Sequence, residues 1–226
     1  MDFLNESDNP YILSDESKLE LNRRGAIFNQ IVGDWTYEIA KNASKAERTS
    51  CSIKSSTFVY GEIDFYSIGE VFETIKNRYG GIPSGGVFYD LGSGSGKCVI
   101  AAALLHNFQK CVGLELLHSL YDISLNMKEK YDEIIGRSEA CHAEVIFENV
   151  DMFERGWADA DFIFANSTCY SPDMMRRISD FPVKIGTWIL TTSWVLESSK
   201  WTVHETITKK MSWGEATVYI QQKISN

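Results

Sequence analysis

Seven residues, Asp90-Leu91-Gly92-Ser93-Gly94-Ser95-Gly96, constrain this chain more than any other stretch. They link a short apolar run, Val87 to Asp90, to a segment from Lys97 to His106 that is apolar nearly all round and therefore predicts a buried helix. Glycines in such a link let a ligand approach the backbone, and the helix start beyond them offers free N–H groups. The rhythm continues downstream. Cys111-Val112-Gly113-Leu114 predicts a second strand, and Leu120, Ile123, Met127, Tyr131 and Ile134 share one face of a following helix. Ala143 to Val150, Asp161 to Ala165 and Thr187 to Thr192 predict three more strands, with a helix beginning near Ser171-Pro172 before the last. Strands alternating with helices predict an α/β fold whose parallel sheet is covered on both faces. Trp201 to Ile207 and Ala216 to Gln221 close the chain with only a turn between them, so they should form an antiparallel hairpin.

Upstream, the cluster Gly80-Gly81-Ile82-Pro83-Ser84-Gly85-Gly86 marks a boundary between residues 1–80, a small N-terminal helical region, and residues 81–226, the ligand-binding domain. At roughly 150 residues per domain, the length fits one domain and about half of another. Phe28, Ile31, Val32, Trp35 and Ile39 predict one helix starting at Ser14 or Asp15, interrupted in propensity by Gly25 and Gly33. Ile68, Val71, Phe72, Ile75 and Tyr79 predict another, and the polar residues 41 to 58 between them read as a loop or short turns.

Composition narrows the class. Hydrophobic residues at 44% and charged residues at 23% exclude disordered, collagen-like and coiled-coil chains. The longest nearly apolar run, Cys98 to Leu105, is too short to span a bilayer, and Met1 to Glu6 lacks the basic start of a signal peptide, so an intracellular chain with no membrane partner is expected. The cysteines at 51, 98, 111, 141 and 169 are odd in number and form no C-x-x-C pair, which predicts reduced thiols. His106, His118, His142 and His204 lack metal-ligand spacing, so no metal is expected. With 22 basic residues against 31 acidic ones the net charge is −9, which argues against direct nucleic-acid binding.

Three ligands compete for the glycine link. A P-loop would need glycine where Leu91 stands and a hydroxyl where Cys98 stands. A dinucleotide fingerprint would place its third glycine on Lys97. S-adenosylmethionine (SAM) has no pyrophosphate but carries a cationic amino group and a sulfonium, and an acid ending the first strand, Asp90, suits that charge. Glu115, ending the second strand, could accept both ribose hydroxyls. Asp151 could meet the adenine amino group, with Met152 against the ring. The alternative is a glycine turn among unrelated surface acids.

From Val59-Tyr60-Gly61-Glu62 to the C-terminus the chain resembles the non-SET histone-lysine methyltransferases of the disruptor-of-telomeric-silencing (Dot) type, a branch of the class I SAM-dependent methyltransferases. The resemblance rests on that segment, on Asp90 to Gly96, on Val112-Gly113-Leu114-Glu115, and on Ser212-Trp213 followed by Val218-Tyr219. It implies a Rossmann-like seven-stranded sheet, an N-terminal part whose loops close over the cofactor, and a narrow lysine channel. One departure is Asn166-Ser167-Thr168-Cys169-Tyr170-Ser171-Pro172, where the family begins with two asparagines. Cofactor contacts are thereby expected from Tyr60, Glu62, Asp90, Gly92, Gly94, Gly96, Glu115, Asp151, Met152 and Asn166, and catalytic roles from Asn166, Tyr170 and Tyr219.

Each position has a plainer alternative. Asn166 could face the donor methyl or merely form a turn, and Tyr170 and Tyr219 could line the channel or the core. Glu62 could contact the methionine part of the ligand or cap a helix. Lys97 reads as a solvated helix-start residue, and Cys141-His142 as a strand-edge pair. The expected reaction is methyl transfer to a protein lysine, on a histone or nucleosome and hence in the nucleus. Other substrates, namely a non-histone protein, a small molecule or RNA, and a catalytically silent SAM-binding module remain alternatives.

Overall fold

In the computed structural model, which describes residues 12–53, 56–136 and 142–226, five parallel strands form where apolar runs predicted them. The expectations placed on Met1 to Glu6 and on Cys141 lie outside the described residues. β1 (Val87–Leu91) is central, between β2 (Lys110–Glu115) and β4 (Phe162–Ala165), with β3 (Glu144–Asn149) beyond β2 and β5 (Trp188–Thr192) beyond β4. β7 (Gly214–Lys223) joins β5 antiparallel and β6 (Trp201–Met211) forms the edge, giving the order β3-β2-β1-β4-β5-β7-β6. Chain order reverses between β1 and β4, so the connections leaving these strands diverge and open a crevice at their carboxyl ends.

Alternate residues of each strand face opposite layers. Phe88, Phe162, Phe164 and Leu190 join one core with α4 (Lys97–Leu105), while Tyr89, Leu91, Ile163 and Ile189 join the other with Trp157, Met175 and Ile178. Residues of α1 (Asp15–Val32) and α3 (Phe65–Arg78) share the first core, which explains why α4 is apolar on every side. Ser14 caps α1 as expected, accepting from Ser17 N–H.

The N-terminal helices differ from expectation. The single helix through Ile39 is two: α1 stops at Gly33, and Thr36 caps α2 (Tyr37–Ser50), which occupies most of the stretch read as a loop. α2 buries only Ala40 and Ser44 among its residues, both small, so its inner face lacks the large apolar side chains that mark a core helix in sequence. Ile39 is 46% exposed, off the face to which the periodicity assigned it. Long-range polar contacts hold these helices in place. Arg24 Nη1 donates to Leu104 O and Leu105 O (2.8 and 2.7 Å) at the carboxyl end of α4. Glu47 accepts from His118 N–H and Ser119 N–H (2.9 and 2.7 Å), replacing the side-chain cap that α5 (His118–Ile135) lacks.

The C-terminal hairpin is longer than predicted. Thr192 pairs with Val218, so the turn from Met211 to Gly214 projects past the end of β5 and reaches Ile63, which bridges Met211. Among the described residues no helix is long and apolar enough to cross a membrane, and no cluster of His, Cys, Asp and Glu could hold a metal ion.

Candidate active site

The crevice holds a cavity of about 310 Å³, lined by residues from the ends of β2, β3 and β4 and by the segment before α3. A second cleft of about 20 Å³ adjoins it around Asp90, Ser93, Ser95, Lys97 and Glu62. Tyr60, Gly61, Gly92 and Asn166 line both, so these four residues form the partition.

The glycine link runs in left-handed conformations, with φ of 79°, 55° and 89° at Gly92, Gly94 and Gly96. Each has a different neighbour. A Cβ on Gly92 would lie 2.7 Å from Tyr170 Oη, and one on Gly94 would lie 2.6 Å from the Tyr60 ring. Gly96 lines neither cavity; a Cβ there would lie 2.5 Å from the Phe147 ring, so this glycine serves strand–helix packing rather than the ligand contact expected of it.

Two carboxylates dominate the electrostatics. Asp90 is 2% exposed, and its Oδ1 has no partner among the described residues. Burial, and after it the neighbouring Glu115, push its carboxyl well above the usual range. Glu115, at the end of β2, accepts from Gly94 N–H at Oε2 (2.7 Å) and from Leu117 N–H at Oε1 (2.8 Å). Burial still raises its pKa, outweighing those backbone bonds. An orphaned buried carboxylate oxygen beside a second carboxylate is costly for the protein alone and suited to a cationic ligand group. That chemistry fits SAM, whose amino group is such a cation.

Tyr60 and Glu62 act together. The Tyr60 hydroxyl donates to Glu62 Oε1 and lies 2.7 Å from Ser95 Oγ, while Lys97 Nζ donates to Glu62 Oε1 and Oε2 (2.8 and 3.0 Å). Lys97 and Glu62 side chains are only 14% and 15% exposed, so Lys97 is not the solvated residue expected, and Glu62 is not a cap. Asp64 caps α3 instead, accepting from Tyr66 N–H and Ser67 N–H. The ion pair ties the segment before α3 to the start of α4, a contact between residues 35 apart in sequence.

Asp151 and Met152 line the main cavity, and Asp151 Oδ1 also accepts from Phe153 N–H (2.8 Å) at the start of α6 (Met152–Arg155). Asn166 follows β4; its Nδ2 donates to Gly61 O and its Oδ1 accepts from Thr192 Oγ1, both at 2.9 Å. Tyr170 lines the main cavity and donates to Leu91 O (2.5 Å), pinning the end of β1. Tyr219 lines neither cavity. It sits half-buried in β7 opposite Thr191, away from the position expected for a channel residue.

Sequence reading missed Phe58, Leu117, Leu120, Met174 and Arg177, which also line the main cavity. Met174 and Arg177 are three apart on α7 (Pro172–Asp180), a spacing that was available, and Arg177 stacks on Phe153 with its Cζ 3.7 Å from the ring centre. Phe58 left no such signal.

Comparison with known proteins bears on the fold and the family. A Methanococcus maripaludis protein assigned as an S-adenosyl-L-methionine-dependent methyltransferase superposes with a TM-score of 0.51 at 17% identity, over 84% of this chain and 94% of that one, which supports the fold alone. The Kluyveromyces lactis histone-lysine N-methyltransferase, H3 lysine-79 specific, is 42% identical over 77 residues, 33% of this chain and 12% of that protein. Its Cryptococcus neoformans counterpart is 30% identical over 90 residues, 40% of this chain and 13% of that protein. The matched part of this chain spans only about an eighth of the length of either relative. The family defined by the histone methylation protein DOT1 matches residues 38–220, nearly the whole sheet and the segment that closes over it, and this chain belongs to that family.

Proposed function

We propose that this chain is the catalytic part of a SAM-dependent protein-lysine N-methyltransferase that modifies a histone, and so works in the nucleus. The carrying observation is the orphaned carboxylate of Asp90 beside the glycine link, in the smaller cleft that adjoins the main cavity. In this reading Asp90 takes the amino group of the methionine part, Glu115 the ribose hydroxyls, and Asp151 the adenine amino group, with Met152 against the ring. Gly92 and Gly94 offer close backbone approach. Tyr60 and Glu62, carried by the N-terminal helical region, form the wall over the ligand. When bound, SAM supplies an electrophilic methyl group on a sulfonium.

The protein's part is then positioning and exclusion of water. A lysine amine, with an ordinary pKa near 10.4, is reactive only once deprotonated, and an apolar, desolvated surrounding lowers that value. Asn166 Oδ1 keeps a second lone pair beyond the one bonded to Thr192, and accepts an N–H of the incoming amine there. No oxyanion forms in such a transfer, so an oxyanion hole is not required. Tyr170 holds the end of β1 rather than the amine.

The test is labelled methyl transfer from SAM to nucleosomes, free histones and whole-cell lysate, with calorimetric titration of SAM on the same preparation. Label on a histone lysine is expected. Label only on another protein or a small molecule would overturn the substrate assignment, and absence of SAM binding would overturn the reading as a whole.

A further inference from the structure

An amide side chain can present either end to its surroundings, and the two ends of Asn166 face groups that permit only one choice. Its Nδ2 points at a carbonyl, Gly61 O, and its Oδ1 at a hydroxyl, Thr192 Oγ1. What makes that hydroxyl a donor lies behind it. Thr192 Oγ1 accepts from Thr168 N–H (3.2 Å), a group that can only donate, and from Thr168 Oγ1 (3.1 Å). Thr168 Oγ1 lies 3.0 Å from Ser193 Oγ. With both lone pairs of Thr192 occupied, its single proton goes to Asn166, and with the Thr168 proton spent on Thr192, Ser193 must donate to Thr168. The protons of three consecutive hydroxyls thus all run toward Asn166. Turning the amide over would set Oδ1 against Gly61 O and Nδ2 against a hydroxyl with no lone pair left.

The backbone supports this arrangement at a cost. Ser193 has φ of 64°, left-handed for a residue with a Cβ, and its N–H donates to Thr217 O (2.8 Å). Thr192 is fully buried, and its backbone N–H and C=O are both bonded to Ser167 Oγ (3.1 and 2.7 Å). These contacts, made through Ser167, lock the ends of β4 and β5 together.

We infer that Thr192, oriented by Thr168 and Ser193, is a positioning residue that fixes the Asn166 amide with its oxygen as the acceptor for the substrate amine. The kinetic consequence rests on the methyltransferase reading, whereas the orientation does not. The experiment compares Thr192→Val, which keeps shape and loses the donor, with Thr192→Ser, which keeps the donor. Two readouts are taken: NMR of the Asn166 side-chain amide protons, assigned by their loss in Asn166→Asp, and turnover against SAM affinity. Thr192→Val is expected to shift the amide signals and speed their exchange, and to lower kcat at least tenfold with SAM affinity within threefold of wild type. Thr192→Ser restores both. Ser193→Gly removes the end of the chain and relieves the left-handed strain, so it should lower kcat two- to fivefold while the melting temperature stays level or rises. A merely structural role predicts instead that stability and turnover fall together. Unchanged amide signals in Thr192→Val overturn the inference; a wild-type protein that transfers no methyl group to any acceptor overturns the proposed function, and the amide signals still decide the orientation.

Discussion

Glu115→Ala is the most informative single change, because the structure gives this carboxylate two tasks where sequence suggested one. Its oxygens hold Gly94 N–H and Leu117 N–H at 2.7 and 2.8 Å, so removing it orphans two buried donors, one in the glycine link and one at the start of α5. Each orphan costs about 1–3 kcal/mol if it stays dry. Two effects offset that sum. Burial penalises the Glu115 charge, a penalty the mutant no longer bears, and Glu115 lines the open cavity, so water can reach the vacated space. A net loss of about 1–3 kcal/mol is expected, or a fall in melting temperature of roughly 2–12 °C for a chain of this size. SAM affinity should fall further than stability, since two charge-assisted bonds to the ribose go as well; about 2–4 kcal/mol corresponds to roughly 30- to 1000-fold in Kd. Glu115→Gln is not a mild version, because its NH2 would face one of the two N–H groups. Differential scanning calorimetry and SAM titration on both variants decide the matter. Affinity lost at an unchanged melting temperature would refute the anchoring of the glycine link, and unchanged affinity would refute the ribose contact.

Asp90 should make both stability and binding depend on pH. Its pKa is raised in the folded protein, so the native state holds that proton more tightly than the unfolded chain, and ionising it costs stability as pH rises through the raised value. Asp90→Asn should therefore melt higher than wild type at pH 7–8, with the gain vanishing at low pH; a lower melting temperature at neutral pH would refute the orphaned-charge reading. A cationic ligand group favours the carboxylate, so SAM binding should release a proton and weaken as pH falls, which calorimetry in buffers of different ionisation enthalpy measures. Gly94→Ala places a Cβ 2.6 Å from the Tyr60 ring at a φ of 55°, and should lower SAM affinity at least tenfold and cost about 1–2 kcal/mol in stability, checked by titration and denaturant melts. Gly61→Ala would put a Cβ 2.0 Å from the Trp213 ring; that residue is 42% exposed and its side chain can swing outward, so the tryptophan emission should shift red with turnover falling more than stability.

The fold was legible because its signals are local. Continuous apolar runs, an all-round apolar helix and a glycine link ending in an acid are written in neighbouring residues, and for a doubly covered parallel sheet that pattern leaves few alternatives. The carboxylates at the ends of β1, β2 and β3 were legible for the same reason: topology brings consecutive strand ends to one crevice wherever the chain alternates. What escaped the sequence was partnership across distance. α2 buries only the small side chains of Ala40 and Ser44, and its Glu47 bonds to the start of α5, a partner 71 residues away. Lys97 reads as solvated until folding sets Glu62 against it, and nothing local to Tyr170 shows that its hydroxyl bonds to Leu91 O while the residue lines the main cavity. Asn166 was singled out by position, but which end of its amide accepts depends on Gly61 and Thr192, separated from it by 105 and 26 residues. Hydrogen-bond direction is a property of three-dimensional neighbours, and no local pattern encodes it.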